Sequence, residues 1–318
     1  MKQYLAIDIG GTAVKLGIVD ETGAVGPKAE ESVNFDSYQT PVLTTVLKTA
    51  KAFVETQNID VNTLEGVGVS ATGQIDSRKG IVAGTCGNFP NYINSPIQAE
   101  LERLFGLPVT VANDANCMTL GEVWVGGAKG YTDVIGVTLG TGVGGGIIID
   151  GKIYGGFNFA GAELGHTVIM VDGELCTCGR FGCWEAYASA TALINQTRRA
   201  MVNHPDSAMW SIAEDLDKVN GRTAFDGMRA GDAVAAQVVD TYIKYIATGL
   251  INVINIFQPE VLCIGGGICK EGDTLLKPLA AHIERERYSK YSSHQTRLCV
   301  ATLGNDAGII GAAFLGER

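Results

Sequence analysis

Residues 4–20 read YLAIDIGGTAVKLGIVD, and residues 134–150 repeat the same layout as VIGVTLGTGVGGGIIID. Each segment contains a short apolar run, a glycine-rich turn and a second apolar run, which is typical of two buried strands joined by a tight turn. When the segments are aligned, Gly10 corresponds to Gly140. A strand, turn and strand unit that occurs twice predicts a duplicated domain, with two turns that face each other across a cleft.

The first turn has the composition of a phosphate site. A strand that ends in Asp-x-Gly-Gly-Thr surrounds a small concavity with backbone N–H groups and a hydroxyl, which can hold phosphate oxygens. Asp8 at its mouth can hold a hydrated Mg²⁺. The alternative is a glycine-rich hairpin without a ligand, and the repetition favours phosphate binding. Neither turn is a Walker motif, because no Gly-Lys-Ser/Thr follows, or a Rossmann fingerprint, because each turn leads into a strand.

Length and composition bound the class of protein. A chain of 318 residues is long for one core, so two domains are expected. The net charge of -10, without any basic run, argues against a general nucleic-acid partner. The N-terminus is a strand followed by glycines rather than a signal peptide, and no apolar stretch approaches the roughly 20 residues of a membrane span. We therefore expect a cytoplasmic protein without a membrane partner.

One short segment, residues 161–185, concentrates metal-ligating side chains. Four soft or borderline ligands at this density predict a closed tetrahedral Zn²⁺ site. Disulfides or ordinary buried thiols are the alternatives, but a cytoplasmic chain keeps its thiols reduced. Since four protein ligands leave the ion no open position, the predicted site is structural rather than catalytic. The ligands are His166, Cys176, Cys178 and Cys183.

Two glutamates lie beside these ligands. Glu163 is three residues from His166 and Glu185 is two residues from Cys183, so a bound metal would fix where both carboxylates point. The second ring nitrogen of a metal-bound histidine is normally hydrogen-bonded, and in a substrate pocket its partner can be a hydroxyl. The alternative for each glutamate is a solvated surface charge. The flanking metal site favours a functional role for both.

Between the two glycine turns, the pattern predicts helices and strands that place a third acidic residue. Asp114 follows the predicted strand at 109–112, and ligands of α/β folds lie beyond the carboxyl ends of strands. The competing explanation is that Asn113 or Asp114 caps the next helix, and the local sequence leaves both open. The other elements predicted in this part are helices at 41–57, 97–105 and 115–125 and a strand at 67–70.

The C-terminal part is predicted to be mainly helical. A strand at 261–264 enters three glycines, and such a run permits a flat ligand such as adenine to lie against bare backbone. The alternative is a helix entry crowded against the sheet. The predicted helices are at 187–203, 210–217, 222–230, 233–257 and 309–315.

Six motifs in order resemble those of the ROK-family sugar kinases of the actin-like ATPase superfamily, over essentially the whole chain. The resemblance implies a two-domain, ribonuclease H-like α/β fold with a cleft between the lobes. It places a small α/β domain at 1–112 plus roughly 305–318, and a large α/β domain with the zinc segment at 113–304. The motifs are AIDIGGT at 6–12, ANDANC at 112–117, TLGTGVGGG at 138–146, AELGH at 162–166, CTCGRFGCWE at 176–185 and IGGG at 264–267.

The resemblance also implies residue roles. Asp114 is expected to be the catalytic base. The residues expected to bind the sugar are Gly73, Asn88, Asn113, Asp114, Glu163, His166 and Glu185. The residues expected to bind ATP with Mg²⁺ are Asp8, Gly10, Gly11, Thr12, Gly140, Thr141, Gly142, Gly265 and Gly266.

The implied reaction is the ATP-dependent phosphorylation of a hexose hydroxyl. The AELGH motif and the zinc segment resemble those of glucokinases most, so glucose is the expected sugar and glucose 6-phosphate the product. A β-glucoside, N-acetylmannosamine or fructose are the alternative sugars. The chain is also expected to form a homodimer or a higher homo-oligomer.

Two departures bear on which sugar is used. Many family members carry Pro-Gly where this chain has Thr72 and Gly73, and small residues where it has Cys117 and Met118. Some family members are sugar-responsive transcriptional regulators with a DNA-binding domain ahead of the first glycine turn. Only residues 1–5 precede AIDIGGT here, so we expect a kinase. A silent sugar-binding protein is disfavoured because Asp114 and both glycine turns are present.

Overall fold

The computed structural model describes residues 1–85 and 89–317. Within these residues the strands are β1 Gln3–Ile9, β2 Ala13–Asp20, β3 Val25–Ser32, β4 Gly66–Ala71, β5 Gln74–Asp76, β6 Ile81–Gly84, β7 Val109–Asn113, β8 Val134–Leu139, β9 Val143–Ile149, β10 Lys152–Ile153, β11 Val261–Gly265 and β12 Arg297–Val300. The helices are α1 Val42–Thr56, α2 Ile97–Phe105, α3 Asp114–Trp124, α4 Glu185–Ala188, α5 Ala190–Asn203, α6 Met209–Ala213, α7 Thr223–Arg229, α8 Ala233–Phe257, α9 Asp273–Glu286 and α10 Ala307–Glu317.

Two five-stranded sheets have the same construction. The first has the order β3-β2-β1-β4-β7 and the second the order β10-β9-β8-β11-β12. In the first sheet β1 pairs antiparallel with β2 and parallel with β4, and β4 pairs parallel with β7. In each sheet, the strand before the glycine turn lies between the strand after the turn and a later strand. The duplicated unit and the α/β class predicted from the sequence are therefore confirmed.

Close backbone packing joins α3 and α10 to the first sheet. A Cβ atom on Gly68 of β4 would lie 1.8 Å from the carbonyl oxygen of Ala312, and one on Gly311 would lie 1.7 Å from that of Cys117. Helix α10 is therefore in direct backbone contact with β4 on one side and with α3 on the other. The absence of side chains at these two positions is what allows α3, which begins with Asp114, to pack this tightly.

The described chain divides into two compact units. Unit 1 comprises residues 1–136, 146–162 and 301–318, and unit 2 comprises residues 137–145 and 163–300. The sequence-based division at 112/113 and 304/305 stays a prediction, as does the cleft. Unit 1 includes α3 together with α10, its packing partner, whereas the predicted boundary falls before α3.

Several predicted elements have the expected bounds. Helices α2 and α8 match the predicted ranges 97–105 and 233–257. The predicted helix at 187–203 is interrupted at Ser189, which has extended backbone angles and caps α5 by accepting a hydrogen bond from the amide of Ala192. The predicted helix at 210–217 ends early, because Glu214 has a φ of 64°.

No helix among the described residues is both long enough and apolar enough to cross a lipid bilayer. The cytoplasmic location and the homo-oligomeric state stay predictions from the sequence.

Candidate active site

The predicted site residues fall in both units. Unit 1 holds Asp8, Gly10, Gly11, Thr12, Gly73, Asn113 and Asp114. Unit 2 holds Gly140, Thr141, Gly142, Glu163, His166, Cys176, Cys178, Cys183, Glu185, Gly265 and Gly266. Asn88 lies outside the described residues.

Asp8 occupies the end of β1, deep in the first sheet. In the register of the strands it lies opposite Lys15 of β2 and opposite Ser70 of β4. The Ser70 hydroxyl donates a hydrogen bond of 2.6 Å to Asp8 Oδ1. Burial raises the pKa of the Asp8 carboxyl, and the Ser70 hydrogen bond and the Lys15 charge oppose this rise without cancelling it. A carboxylate is the ligand type that Mg²⁺ prefers, so this donor fits the predicted ion.

The first glycine turn begins at Gly10, directly after β1. Tyr38 donates its hydroxyl hydrogen to the carbonyl oxygen of Gly11 at 2.6 Å. The amide of Val33 donates to the carbonyl oxygen of Thr12 at 2.9 Å. Because these neighbours bind the carbonyl groups of the turn, its backbone has a fixed shape before any ligand arrives.

Asn113 and Asp114 stand at the junction of β7 and α3. Asn113 Oδ1 accepts from the amides of Ala115 (3.0 Å) and Asn116 (3.2 Å), so Asn113 is the helix cap. Its Nδ2 donates to the carbonyl oxygen of Gly73 at 2.9 Å. Asp114 is the first residue of α3, and its Oδ1 accepts from the Ala115 amide at 2.9 Å. Of the two residues that could cap α3, Asn113 is the cap and Asp114 is not.

The turn before β5 connects this junction to a buried tyrosine. Gly73 has a φ of +94°, and a Cβ atom there would lie 2.8 Å from the carbonyl oxygen of Gly84. Tyr92 is buried and donates its hydroxyl hydrogen to the Thr72 carbonyl oxygen at 3.2 Å. Burial raises the pKa of Tyr92, and the charges of Asp114 and Asp8 add to this rise.

The pKa of the buried Cys117 thiol is also raised by burial and by the two carboxylates. Burial raises it most, and the charges of Asp8 and Asp114 raise it further. Because both carboxylates influence Tyr92 and Cys117, the structure brings Asp8 and Asp114 into one electrostatic neighbourhood of unit 1.

In unit 2 the second glycine turn lies against the start of α5. The amide of Ala190 donates to the carbonyl oxygen of Gly140 at 2.8 Å, and the hydroxyl of Thr191 donates to that of Thr141 at 2.8 Å. The first residues of α5 therefore fix this turn, as Tyr38 and Val33 fix the first one.

The third glycine segment meets the second turn. Strands β8 and β11 are neighbours in the second sheet, and Gly265 ends β11. Gly266 has a φ of +112°, and a Cβ atom there would lie 2.1 Å from the carbonyl oxygen of Leu139, the last residue of β8. Only glycine allows this close approach. The structure thus brings together two of the predicted nucleotide-binding segments, 140–142 and 265–266.

Glu185, the first residue of α4, is held beside the second turn. The amide of Val143 donates to Glu185 Oε2 at 3.0 Å, and the Thr177 hydroxyl donates to Oε1 at 2.8 Å. Cys176 Sγ lies 3.6 Å from Oε1. A Cβ atom on Gly142 would lie 2.3 Å from Oε2, so the missing side chain leaves room for the carboxylate.

Glu163 and His166 begin and end a 3-10 turn close to Glu185. The Glu163 side chain is accessible to solvent, yet neighbouring atoms partly remove water from its carboxyl and raise its pKa. The interaction with His166 opposes this rise in the Glu163 pKa, whereas the charge of Glu185 adds to it. The three predicted sugar-binding residues of unit 2 are therefore close enough to influence one another.

The four predicted metal ligands converge. Their ligand atoms all lie within 4.8 Å of one another. Cys178 Sγ and Cys183 Sγ are 3.7 Å apart, and Cys176 Sγ is 3.5 Å from His166 Nδ1. A tetrahedral Zn²⁺ with bonds of about 2.3 Å to sulfur and about 2.0 Å to nitrogen requires separations of roughly 3.8 and 3.5 Å. The donor set and its spacing fit zinc, and the three cysteines are free thiols.

Three residues of the candidate site were not predicted: Ser70 binds Asp8, Thr177 binds Glu185, and Tyr92 binds the Thr72 carbonyl oxygen. Ser70 and Tyr92 lie outside the six motifs, and Thr177 lies inside one, between two of the predicted metal ligands. Ser70 alone had a usable signal, because a buried strand parallel to β1 must place some residue opposite Asp8.

Comparison with known proteins identifies the family of this chain. The model of the ROK family matches residues 4–318. A glucokinase from Thermotoga maritima is 35% identical over 317 residues, covering 98% of this chain and 96% of that protein. A glucokinase from Halalkalibacterium halodurans is 35% identical over 316 residues, covering 98% and 94%.

A solved structure of a ROK family glucokinase from Streptomyces griseus, in complex with glucose and AMPPNP, is also similar. It matches with a TM-score of 0.81 and 32% identity, and the match covers 98% of both chains. The chain therefore belongs to the ROK family, and the actin-like ATPase fold and the sugar-kinase class expected from its motifs are confirmed.

Proposed function

We propose that this protein transfers the terminal phosphoryl group of ATP to a hydroxyl of glucose, giving glucose 6-phosphate. The observation that carries the proposal is the placement of Asp114, which begins α3 at the end of β7 while Asn113 serves as the cap. Similarity to a family glucokinase solved with glucose and AMPPNP supports both the acceptor and the donor.

Asp114 is proposed as the general base. A sugar hydroxyl is a poor nucleophile, so a carboxylate must accept its proton as the oxygen attacks the terminal phosphorus. The rest of such a catalyst consists of positioning and charge neutralisation. The packing of α3 against α10 through Gly311 supports this role, because it fixes the start of α3.

The proposed sugar-binding groups combine acceptors and donors. Glu163, His166 and Glu185 of unit 2 and Asn113 of unit 1 would bind sugar hydroxyls, since carboxylates and amides can each form several hydrogen bonds. In Asn113, backbone groups already use both acceptor positions of Oδ1 and one N–H of Nδ2, so its other N–H is the group offered to a hydroxyl. A site built this way rejects sugars that lack the matching hydroxyls.

The nucleotide is proposed to bind at the glycine segments. The turns at 10–12 and 140–142 would bind the phosphates, and Gly265 with Gly266 would border the adenosine. The Asp8 carboxylate would hold Mg²⁺. Bound magnesium supplies charge neutralisation at the phosphates, whereas the chain itself supplies the fixed backbone turns that orient them.

We also propose that the cluster of His166, Cys176, Cys178 and Cys183 holds a structural Zn²⁺. The match of its spacing to tetrahedral geometry supports this proposal. Without a cation, burial and the neighbouring thiols raise the pKa of Cys183 to about 12. Zinc supplies the positive charge that stabilises thiolates. The segment then places Glu163 and Glu185, which flank its ligands in the sequence.

The choice of sugar is tested with the full chain in a coupled ADP-release assay. The panel is glucose, mannose, fructose, N-acetylmannosamine and a β-glucoside such as cellobiose. We expect the highest kcat/KM for glucose. If another sugar gives a tenfold higher kcat/KM, that sugar is the acceptor instead of glucose. If no sugar in the panel leads to ADP release, the proposed reaction is refuted.

The base is tested with Asp114→Asn, which keeps the shape of the side chain and removes the proton acceptor. We expect kcat to fall by about 10²–10⁴-fold while the Kd for the sugar stays within about twofold. The matched control is Asp206→Asn, the same exchange at an exposed position, which should leave kcat unchanged. An Asp114→Asn variant that keeps more than a tenth of wild-type turnover would exclude Asp114 as the base.

A further inference from the structure

The Glu185 carboxylate has two side-chain neighbours and one backbone neighbour within unit 2. Thr177 Oγ1 lies 2.8 Å from Oε1, Cys176 Sγ lies 3.6 Å from the same oxygen, and the Val143 amide lies 3.0 Å from Oε2. The shortest contact is that of Thr177, a residue that none of the roles above includes. It stands between two of the clustered cysteines but is not itself a metal ligand.

We propose that Thr177 is a positioning residue that orients the Glu185 carboxylate for sugar binding and so sets the affinity for the sugar. This inference rests on the proposed function, because it takes Glu185 as a sugar-binding group. The contact of the Val143 amide fixes only Oε2. A second contact on Oε1 is needed to stop rotation of the carboxylate about its last torsion, for which sp²-centred groups have broad preferences.

Of the two side chains near Oε1, Thr177 is the better hydrogen-bond donor. A thiol is a weak hydrogen-bond donor, and Cys176 Sγ lies 3.6 Å from Oε1. The Thr177 hydroxyl is a stronger donor and lies 2.8 Å from the same oxygen. It is also exposed, so the hydroxyl can be removed without opening a cavity in the core.

The surroundings of Glu185 make the Thr177 hydrogen bond important for the orientation of the carboxylate. The Glu185 carboxylate occupies the space that a side chain at position 142 would fill, because a Cβ atom on Gly142 would lie only 2.3 Å from Oε2. Since the glycine offers no side chain to hold the carboxylate there, hydrogen-bond donors must fix both of its oxygens. Loss of the Thr177 donor should therefore loosen the orientation of Glu185 without displacing the helix that carries it.

The test compares Thr177→Val, which keeps the branched shape and removes the hydroxyl, with Thr177→Ser, which keeps the hydroxyl. Binding of each panel sugar to the zinc-loaded full chain is measured by titration calorimetry without nucleotide, and kcat and KM are measured separately. For the sugar that wild type binds most tightly, we expect Thr177→Val to raise Kd and KM about three- to tenfold, with kcat within about twofold. Thr177→Ser should restore wild-type affinity.

Two controls separate positioning from a structural effect. Zinc content is determined for each variant and should stay at one ion per chain. Thr248→Val removes a hydroxyl from another exposed threonine, whose hydroxyl bonds only the Lys244 carbonyl within α8 in the described contacts, and it should not change Kd.

The outcomes are distinct. If Thr177→Val binds sugar as wild type does while Glu185→Ala loses binding, the positioning role is refuted and the proposed function stands. Equal losses of affinity in Thr177→Val and Thr177→Ser, or a loss of zinc in either, would also overturn the role. Absence of binding to any panel sugar in the wild-type chain would refute the proposed function itself, and the inference with it.

Discussion

Glu122 offers the sharpest test of how unit 1 is held together. This residue of α3 is fully buried, with 0% exposure. Its Oε1 accepts from the amides of Thr302 (2.9 Å) and Leu303 (2.8 Å), and its Oε2 accepts from the amide of Gly127 (2.7 Å) and the hydroxyl of Thr302 (3.3 Å). The carboxylate thus binds α3 to the segment that leads into α10.

The magnitude follows from these four donors. In Glu122→Ala all four donors lose their acceptor, and a buried donor that is left unsatisfied costs about 1–3 kcal/mol, but the amides near exposed Thr302 can regain water. With two of the donors left without a partner, we expect a loss of about 4 kcal/mol in the free energy of unfolding. In Glu122→Gln one carbonyl oxygen still accepts from Thr302 and Leu303, whereas the new NH₂ group meets the Gly127 amide as a second donor. That mismatch should cost about 2 kcal/mol.

The assay combines urea unfolding with amide hydrogen exchange. Faster exchange is expected in α3 and α10, whose packing depends on the carboxylate, and unchanged exchange in α8 of unit 2. The control is Glu65→Gln, the same exchange at an exposed position, which should change the free energy of unfolding by less than about 0.5 kcal/mol. Our reasoning is refuted if Glu122→Ala costs less than 1 kcal/mol, or if exchange in α3 and α10 stays at the wild-type rate.

Two further variants test the metal cluster and a helix cap. Cys178→Ala should lose zinc and lower the unfolding midpoint together, whereas Cys269→Ala should keep the ion; full zinc content in Cys178→Ala, by elemental analysis, contradicts the cluster. Asp232→Ala should cost about 1–2 kcal/mol at pH 7, because its carboxylate accepts from amides at both Val234 (2.7 Å) and Ala208 (2.7 Å). Burial raises the pKa of Asp232, but hydrogen bonds from Ser207 and these amides lower it below its ordinary value. The contribution to stability is therefore complete above the unfolded pKa of about 3.9 and is lost as the pH falls through the lower folded pKa, so urea unfolding should show the variant and wild type converging below about pH 4.

The elements of the fold that could be predicted are those whose conformation is determined by their own residues and immediate neighbours in the sequence. Helix α8 has its predicted bounds, because its apolar pattern is continuous and Pro259 marks its end. Strand β3, Val25–Ser32, was missed because most of its residues are polar and exposed, and pairing with β2 decides its conformation. Helix α9, Asp273–Glu286, was also missed, since Pro278 inside it interrupts the helical pattern.

The residues of the candidate site also fall into those that local sequence predicts and those that it does not. Motifs predict Asp8 and Asp114 from strand ends and a glycine turn, and Glu185 from the neighbouring cysteines, because all of these are local features of the sequence. They could not identify Ser70 or Tyr92, which reach Asp8 and the Thr72 carbonyl from 62 and 20 residues away in the chain. These contacts depend on which strands become neighbours, and that information is distributed over the whole fold.

The two units solve one physical problem in the same manner. A carboxylate that is to hold a metal or a sugar must keep one orientation, although its last torsion is soft. In unit 1 the Ser70 hydroxyl binds one oxygen of Asp8, and a Cβ atom on Gly308 of α10 would lie 2.6 Å from the other. In unit 2 a hydroxyl likewise binds one oxygen of Glu185, and Gly142 leaves space beside the other. Each acid thus has a hydroxyl donor on one oxygen and a glycine beside the other, so its orientation depends on residues other than the acid itself.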